Sequence, residues 1–237
     1  AAFSVSLLYA FGTLAWPYSG TFFSEPLSLL FALASFLLLV RDDPVLGTGS
    51  GIGAGGLFLA GVLIGISFTA HITAALFCPF WLAYGWHSRL VREGGVVSSF
   101  RFALWLVLGM AVMGLVLGGY NYLRFGELFE TGRTVDQAAR FRFGYYRWLP
   151  LGTGLYGLLA SPGKGVFIYC PAVLLGLVTY RSLLRRRSPL LLILAGCALF
   201  RLLFLSSVSD WSGGFCLGPR LLLLIIPFLL LPAVVWV

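Results

Sequence analysis

The chain has 237 residues, of which 59% are hydrophobic and 10% are charged, and its formal net charge is +8. A soluble domain carries roughly 25% charged residues, so this composition excludes a chain that hides its apolar surface in one globular core. With lipid as the solvent, every backbone polar group must be paired within the protein, as it is in helices. We therefore expect an all-α, polytopic transmembrane helical bundle.

The positive charge comes from arginine, because Lys164 is the only lysine. In a chain of this composition, arginine favours cytoplasmic anchoring and contact with membrane lipids, and we expect no nucleic-acid partner. The cysteines follow no CxxC or zinc-ligand spacing, so we expect no disulfide and no zinc site. They are Cys78, Cys170, Cys197 and Cys216.

Both ends of the chain lie inside apolar runs, and Met110 and Met113 are the only methionines. These features predict an internal portion of a longer protein. Residues 1–237 are expected to form a single transmembrane domain within it.

Apolar runs that approach the ~20 residues needed to cross a bilayer predict about eight membrane segments. They lie at residues 4–17, 25–40, 53–68, 70–86, 102–121, 165–180, 189–208 and 220–237. The third and fourth segments form a predicted short hairpin, because Thr69-Ala70-His71 is the only polar interruption of that stretch. A single tilted helix is the alternative there, and it would reverse the orientation of everything upstream.

A dense basic turn marks the predicted cytoplasmic side of the bundle. It consists of Arg181, Arg185, Arg186 and Arg187. Counting segments from this turn places Arg41, Arg89 and Arg92 inside, and loops 18–24, 69–71, 122–164 and 209–219 outside. Loop 122–164 is the one longer extracytoplasmic loop, and its apolar run Leu151–Leu159 predicts an interfacial helix.

The most informative stretch is Ser209-Asp210-Trp211-Ser212-Gly213-Gly214, which is followed by Gly218-Pro219-Arg220. Ionisable groups at membrane level are costly and mark candidate sites for charged ligands. Two arginines, Arg201 and Arg220, flank Asp210, and a guanidinium fork matches the oxygens of a phosphate. The alternative is a solvated loop whose arginine reaches the lipid headgroups.

Other polar residues fall on the same predicted side. Glu25 precedes Pro26 at a predicted helix start, where a carboxylate also suits the helix dipole. His71 lies at the tip of the hairpin, where a hydrogen-bonded interfacial role is the alternative to ligand binding. Tyr18 and Asn121 lie in or beside outer loops, where interfacial anchoring is an alternative for the tyrosine.

Four ordered runs resemble bacterial integral-membrane glycosyltransferases of the GT-C superfamily. The runs are Trp16-Pro-Tyr-Ser…Ser24-Glu-Pro, Tyr120-Asn-Tyr-Leu-Arg-Phe-Gly126, Gly157-Leu-Leu-Ala-Ser-Pro-Gly-Lys-Gly165 and Trp211-Ser-Gly-Gly…Gly218-Pro-Arg220. By these runs the chain resembles proteins close to dolichyl-phosphate-mannose–protein mannosyltransferases and aminoarabinose transferases.

This resemblance implies sugar transfer from a polyprenyl-phosphate donor on the extracytoplasmic face of a bacterial inner membrane. It assigns Arg220, Arg201 and His71 to the donor phosphate, and the residues that line the substrate cavity are Tyr18, Glu25, Asn121, Asp210 and Trp211. In that class the catalytic carboxylates lie in the first outer loop, and no Asp/Glu pair precedes Glu25. The catalytic residue is therefore unknown, and the resemblance leaves a divalent metal as an open cofactor.

Two rival functions remain open. The first is a non-catalytic, degenerate transferase-like subunit that packs against partner subunits in a membrane complex, because small residues on helices permit close contacts. Those residues are Gly61, Gly65, Gly109, Gly114 and Gly118. The second is a transporter, which is disfavoured because the segments hold only Arg201 as a clear ionisable group and show no internal repeat.

Overall fold

A computed structural model describes residues 2–42, 51–93, 95–130, 148–184 and 189–235. The α-helices are α1 (Ala2–Gly12), α2 (Ala15–Ser19), α3 (Ser24–Leu39), α4 (Ala54–Ala70), α5 (Cys78–Glu93), α6 (Val96–Phe125), α7 (Leu151–Leu159), α8 (Val166–Tyr169), α9 (Ala172–Leu184), α10 (Pro189–Ser207) and α11 (Ile226–Leu230). Short 3₁₀ segments are Val40–Asp42, Ile72–Phe77, Arg220–Ile225 and Leu231–Val235.

The predicted all-α class is confirmed for the described residues. Within those ranges there is no strand, and one isolated antiparallel bridge joins Trp148 to Val208. Two of the described helices, α6 and α10, are long and apolar enough to cross a membrane. The other apolar helices are shorter, so the eight crossings stay a prediction. The basic turn Arg185–Arg187 and residues 131–147 of the predicted outer loop lie outside the described residues.

The chain forms two compact units. Unit 1 comprises Ala1–Pro26 and Val135–Val237, and unit 2 comprises Leu27–Thr134. The division falls in the first turn of α3. The expectation of one transmembrane domain over residues 1–237 stays a prediction.

Serine side chains join α3 to α4 in unit 2. Ser28 Oγ donates to the Ser67 carbonyl at 2.9 Å, and Ser67 Oγ donates to the Ser28 carbonyl at 2.7 Å. Further along α3, Ser35 Oγ donates to the carbonyl of Ala60 at 2.8 Å. Later residues of α3 thus meet earlier residues of α4, so the two helices are antiparallel.

Glycines bring α4 against α6. Gly61 lies so close to the Leu106 carbonyl that a Cβ atom there would collide with it, and Gly109 lies as close to the Phe58 carbonyl. Gly65 lies against the side chain of Met113. Because later positions of α4 meet later positions of α6, these helices run in parallel, and the predicted close contacts at these glycines are confirmed.

The chain reverses direction in unit 2 at the place where the sequence predicts a hairpin, and the membrane crossings of that hairpin stay a prediction. Gly85 of α5 lies against the ring of Phe102, and Ser99 Oγ donates to the Trp86 carbonyl at 3.2 Å. These contacts make α5 antiparallel to α6 and therefore opposite to α4. The reversal occurs at His71 and the 3₁₀ segment Ile72–Phe77.

The directions of these four helices separate the basic residues from the polar candidates of unit 2. Arg41 follows α3 and Arg101 lies near the start of α6, while Arg89 Nη2 donates to the Ile52 carbonyl at 3.2 Å just before α4. These arginines share one end of the unit. His71 and Asn121 lie toward the other end.

The described helices of unit 1 also alternate in direction. Leu14 N donates to Cys170 Sγ at 3.3 Å, and a Cβ on Gly12 would lie 3.6 Å from Ala172, so α1 is antiparallel to α9. At the opposite end of α9, Tyr180 packs against Leu191 near the start of α10. The helix α10 then returns toward the end of unit 1 that holds Leu14.

The predicted segment 220–237 is less regular than expected where it is described. It consists of the 3₁₀ segments Arg220–Ile225 and Leu231–Val235 on either side of the short α11. Pro227 and Pro232 lack the backbone N–H that a continuous helix needs, which accounts for the short pieces. In the same way, Pro171 separates α8 from α9.

Candidate functional site

The polar residues of unit 1 collect where its helices end, around loop 208–220. Three glycines in this loop have positive φ angles: Gly213 at 67°, Gly214 at 79° and Gly218 at 59°. Glycine adopts such angles without a steric penalty, so the tight path of the loop explains their place in the sequence. The loop delivers Arg220 to the first position of a 3₁₀ segment.

Arg220 forms an ion pair with Glu25. Its Nε lies 2.9 Å from Glu25 Oε1, and the side chains are 20% and 2% exposed. The Nε–H bond does not point along a hydrogen bond, so the contact is electrostatic. The guanidinium also lies over the ring of Phe23, with Cζ 4.2 Å from the ring centroid. The Glu25 carboxylate thus does more than cap a helix, because it neutralises a specific arginine.

Tyr18 packs against the residues that surround Arg220. Its side chain is buried, and its hydroxyl donates to the Leu217 carbonyl at 2.7 Å. Its ring lies 5.6 Å from the ring of Phe23. Burial, and after it a hydrogen bond with Cys216, raises the pKa of the Tyr18 phenol, so the hydroxyl stays protonated and available as a donor.

Arg201 is the most deeply buried cation of the cluster. It has no exposed surface, and its Nε and Nη2 both donate to the Leu221 carbonyl, at 3.2 and 3.0 Å. The Glu25 carboxylate also acts on it through its charge. One buried carboxylate is therefore shared between two arginines, which leaves one positive charge in excess.

Lys164 is the residue that sequence reasoning missed. Its Nζ donates to the carbonyls of Gly214 and Cys216, at 2.8 and 2.6 Å, and to Cys216 Sγ at 3.0 Å. It comes from the turn between α7 and α8, 50 residues away from Gly214. The only signal for it in the sequence is that it is the single lysine of a chain rich in arginine.

Asp210 and Trp211 take structural places in the loop. Asp210 is exposed, and its carbonyl accepts from Gly213 N at 3.0 Å. The indole of Trp211 lies directly on Gly157 of α7, so closely that a Cβ on that glycine would collide with the ring. Trp211 therefore anchors α7, and packing rather than ligand stacking is what its contacts support.

His71 and Asn121 belong to unit 2, and each is bonded locally. His71 Nδ1 lies 2.7 Å from Thr73 Oγ1, at the break between α4 and the following 3₁₀ segment. Asn121 Nδ2 donates to the Leu128 carbonyl at 3.2 Å and so stabilises the turn after α6. The site built in unit 1 thus contains four of the eight predicted residues, namely Arg201, Arg220, Tyr18 and Glu25, in contact or electrostatic range of one another.

Unit 1 also contains an apolar cavity of about 610 Å³. Its lining includes Leu202, which follows Arg201, and Leu222, which lies two residues after Arg220. Other lining residues are Leu177, Ala198, Ile226 and Leu229. Among the described residues, no group of three or more His, Cys, Asp or Glu could hold a metal ion.

The chain matches no protein-family model, and no curated protein or solved structure matches it. The resemblance to glycosyltransferases therefore rests on the four ordered runs of residues, and the geometry around Arg220 stands on its own.

Proposed function

We propose that the protein is an integral-membrane glycosyltransferase that takes a sugar from a polyprenyl-phosphate donor. It would act on the extracytoplasmic face of a bacterial inner membrane, as a multi-pass protein of the GT-C type. Support comes from the ordered motifs, from the apolar composition and from the alternating helix directions within each unit. These features are each general, and the chemistry of the arginine cluster makes the proposal specific.

The arrangement of Arg220 carries the proposal. Glu25 holds its guanidinium at Nε and Phe23 covers one face of it, while the side chain remains 20% exposed. This exposure leaves part of the guanidinium accessible from outside the protein. A guanidinium fixed at one edge presents its remaining donors to an anion with little loss of side-chain freedom, and phosphate oxygens match that fork.

The ligand that fits this site is amphiphilic. Arg201 and Arg220 carry one more positive charge than the buried carboxylate neutralises. The apolar cavity of about 610 Å³ is lined in part by Leu202 and Leu222, which follow these arginines in the chain by one and two residues. An anionic head at Arg220 and a hydrocarbon chain in the cavity would satisfy both features at once. A polyprenyl phosphate has this chemistry.

The reaction proposed is a single displacement at the anomeric carbon of the donor sugar. As the bond to the lipid phosphate breaks, negative charge grows on the departing oxygen, and Arg220 stabilises it. A general base must remove the proton of the acceptor hydroxyl. Glu25 is engaged with Arg220, so we assign the base to no residue of this chain.

Binding of the donor lipid by the purified chain in nanodiscs tests the proposal. We expect a fluorescent polyprenyl phosphate to bind more tightly than the matched polyprenol, and Arg220→Gln to weaken phosphate binding by roughly 10–100-fold through loss of a charged hydrogen-bond donor. Arg220→Lys keeps the charge without the fork, so its affinity for polyprenyl phosphate should lie between those of the unmodified chain and Arg220→Gln. Arg124→Gln, at an exposed arginine of unit 2, is the matched control. Equal affinity for the two lipids in the unmodified chain would refute the proposal.

A non-catalytic membrane subunit is the second candidate, and one observation favours it. The buried carboxylate of the cluster is already paired with an arginine, so the cluster can bind an anionic lipid without performing chemistry. Transfer assays with mannosyl- and aminoarabinosyl-phosphate lipids separate the two candidates. Lipid binding without transfer by the full-length protein would favour the subunit.

A further inference from the structure

We infer that Lys164 is a positioning residue for the Arg220 anion site, acting through the loop of residues 212–218, hereafter the glycine loop. The inference rests on the proposed function of that site. The three N–H donors of the ammonium group are matched by three acceptors in this loop, Gly214 O, Cys216 O and Cys216 Sγ. Lys164 therefore fills the centre of the loop as a bound cation would.

The glycine loop needs such a centre. Gly213, Gly214 and Gly218 all have positive φ angles, and glycine loses more conformational freedom on ordering than any other residue. The local backbone hydrogen bonds are few, with Gly213 N donating to Asp210 O and Cys216 N donating to Gly214 O, both at 3.0 Å. A cation that binds several carbonyls of the loop offsets the conformational entropy lost when this segment becomes ordered.

The position of Lys164 is itself well defined. Its backbone N donates to Ser161 Oγ at 3.1 Å, and Gly165 N donates to the Ser161 carbonyl at 2.7 Å. A Cβ on Gly165 would lie 2.7 Å from that same carbonyl, so the turn requires glycine there. The tight turn between α7 and α8 thus delivers the ammonium to one place.

The glycine loop is connected to the Arg220 anion site, so fixing the loop also fixes the site. The Leu217 carbonyl in this loop accepts a hydrogen bond from the Tyr18 hydroxyl. The Tyr18 ring packs against the Phe23 ring, and the Arg220 guanidinium lies over that second ring. At the end of the loop, Arg220 N donates to the Gly218 carbonyl at 3.1 Å. Loss of the Lys164 ammonium would release the loop that aims Arg220, without touching the arginine itself.

Two readouts on the full chain in nanodiscs test this role. Lys164→Met removes the ammonium while keeping the length of the side chain. We expect it to weaken polyprenyl-phosphate binding by roughly tenfold, since small misplacements of a binding group have effects of this order or larger. We also expect the backbone amides of the glycine loop to exchange their hydrogens with solvent roughly tenfold faster, because the loop opens locally. Arg220→Gln should leave this exchange rate unchanged.

The arginine variant separates positioning from charge. Lys164→Arg keeps a positive charge, but a planar guanidinium cannot bring three donors to one point, so it should resemble Lys164→Met in both readouts. Full binding by Lys164→Arg with weak binding by Lys164→Met would show that charge alone matters, and would overturn the inference. Binding and amide exchange of Lys164→Met that equal those of the unmodified chain would also overturn it. If the unmodified chain shows no preference for the phosphate lipid, the proposed function fails instead.

Discussion

At the scale of single residues, Glu25 sets what Arg220 can bind. The carboxylate is 2% exposed and lies against Nε of the arginine, so it fixes the guanidinium and also competes with any anionic ligand. Breaking a buried pair leaves a charge without compensation, although the partial exposure of Arg220 lets water reduce that cost. The pair therefore stabilises the fold while it moderates the affinity of the site.

The variant Glu25→Gln separates these two effects. We expect it to lower the free energy of unfolding by about 1–3 kcal/mol, because the arginines lose their only buried counter-charge among the described residues. We also expect it to bind a polyprenyl phosphate more tightly than the unmodified chain. Chemical unfolding in detergent and the lipid-binding assay measure the two quantities. Weaker lipid binding by this variant would contradict a competing role for Glu25.

Tyr18 gives a prediction about pH. Replacing it with Phe removes the donor of the 2.7 Å hydrogen bond to Leu217 and should cost about 1–2 kcal/mol of stability. Because burial raises the pKa of the phenol, the folded chain keeps the proton that the unfolded chain releases near its ordinary pKa of about 10. The contribution of Tyr18 is therefore full below that pH and is lost as the pH rises above it.

Unfolding of both proteins across that range checks the sign. The difference in stability between the unmodified chain and Tyr18→Phe should stay constant from about pH 7 to about pH 9 and shrink at higher pH. A difference that grows above pH 10 would mean that the phenolate, and not the phenol, is favoured in the folded protein.

At the scale of elements, the crossing of α4 and α6 is set by two glycines. Gly61 and Gly109 allow the backbones to touch, because a Cβ at either position would meet a carbonyl oxygen of the facing helix. The sequence predicted a packing role for Gly114 and Gly118 as well, yet among the described residues no atom outside its own stretch of α6 lies within 4 Å of a Cβ on Gly114. The sequence shows which glycines lie on a helix, but only the packing of the helices decides which of these glycines face a neighbouring helix.

Alanine at these positions tests the crossing. Gly61→Ala should destabilise unit 2 by about 1–3 kcal/mol, because backbone atoms cannot yield to the added methyl group. Gly114→Ala is the matched control, and it should gain up to about 1 kcal/mol from the higher helix propensity of alanine. Thermal unfolding of the two variants in the same detergent gives the comparison. Equal effects of the two substitutions would show that α4 and α6 do not approach as described.

Breaks between elements were more predictable than their regularity. The interruption at His71 was foreseen from three residues of lower hydropathy, and α4 ends at Ala70. The segment 220–237 was predicted as one crossing, yet Pro227 and Pro232 divide its described part into short pieces. Hydropathy reports only that a stretch is apolar, whereas the absent N–H of proline decides how far a helix continues.

At the scale of the whole molecule, the predicted orientation can be tested by chemical labelling. The arginine end of unit 2 contains Arg41, Arg89 and Arg101, and His71 lies toward its other end. If lipid surrounds the bundle, the positive end faces the cytoplasm. We expect a membrane-impermeant maleimide to label His71→Cys in intact cells, and to label Arg89→Cys only after permeabilisation. Labelling of both cysteine variants in intact cells would contradict the proposed membrane topology.

The sequence by itself determined the helical class and the break near His71, and it singled out Arg201 and Arg220 as candidates, because composition, hydropathy and isolated charges are local properties. Only the tertiary structure decided that Glu25 pairs with Arg220 and that Lys164 fills the glycine loop. Those partners are far apart in the chain, and the type of a single residue does not indicate which distant residue it will contact. Helix direction and backbone geometry brought them together, since the ends of antiparallel helices collect side chains from unrelated parts of a sequence.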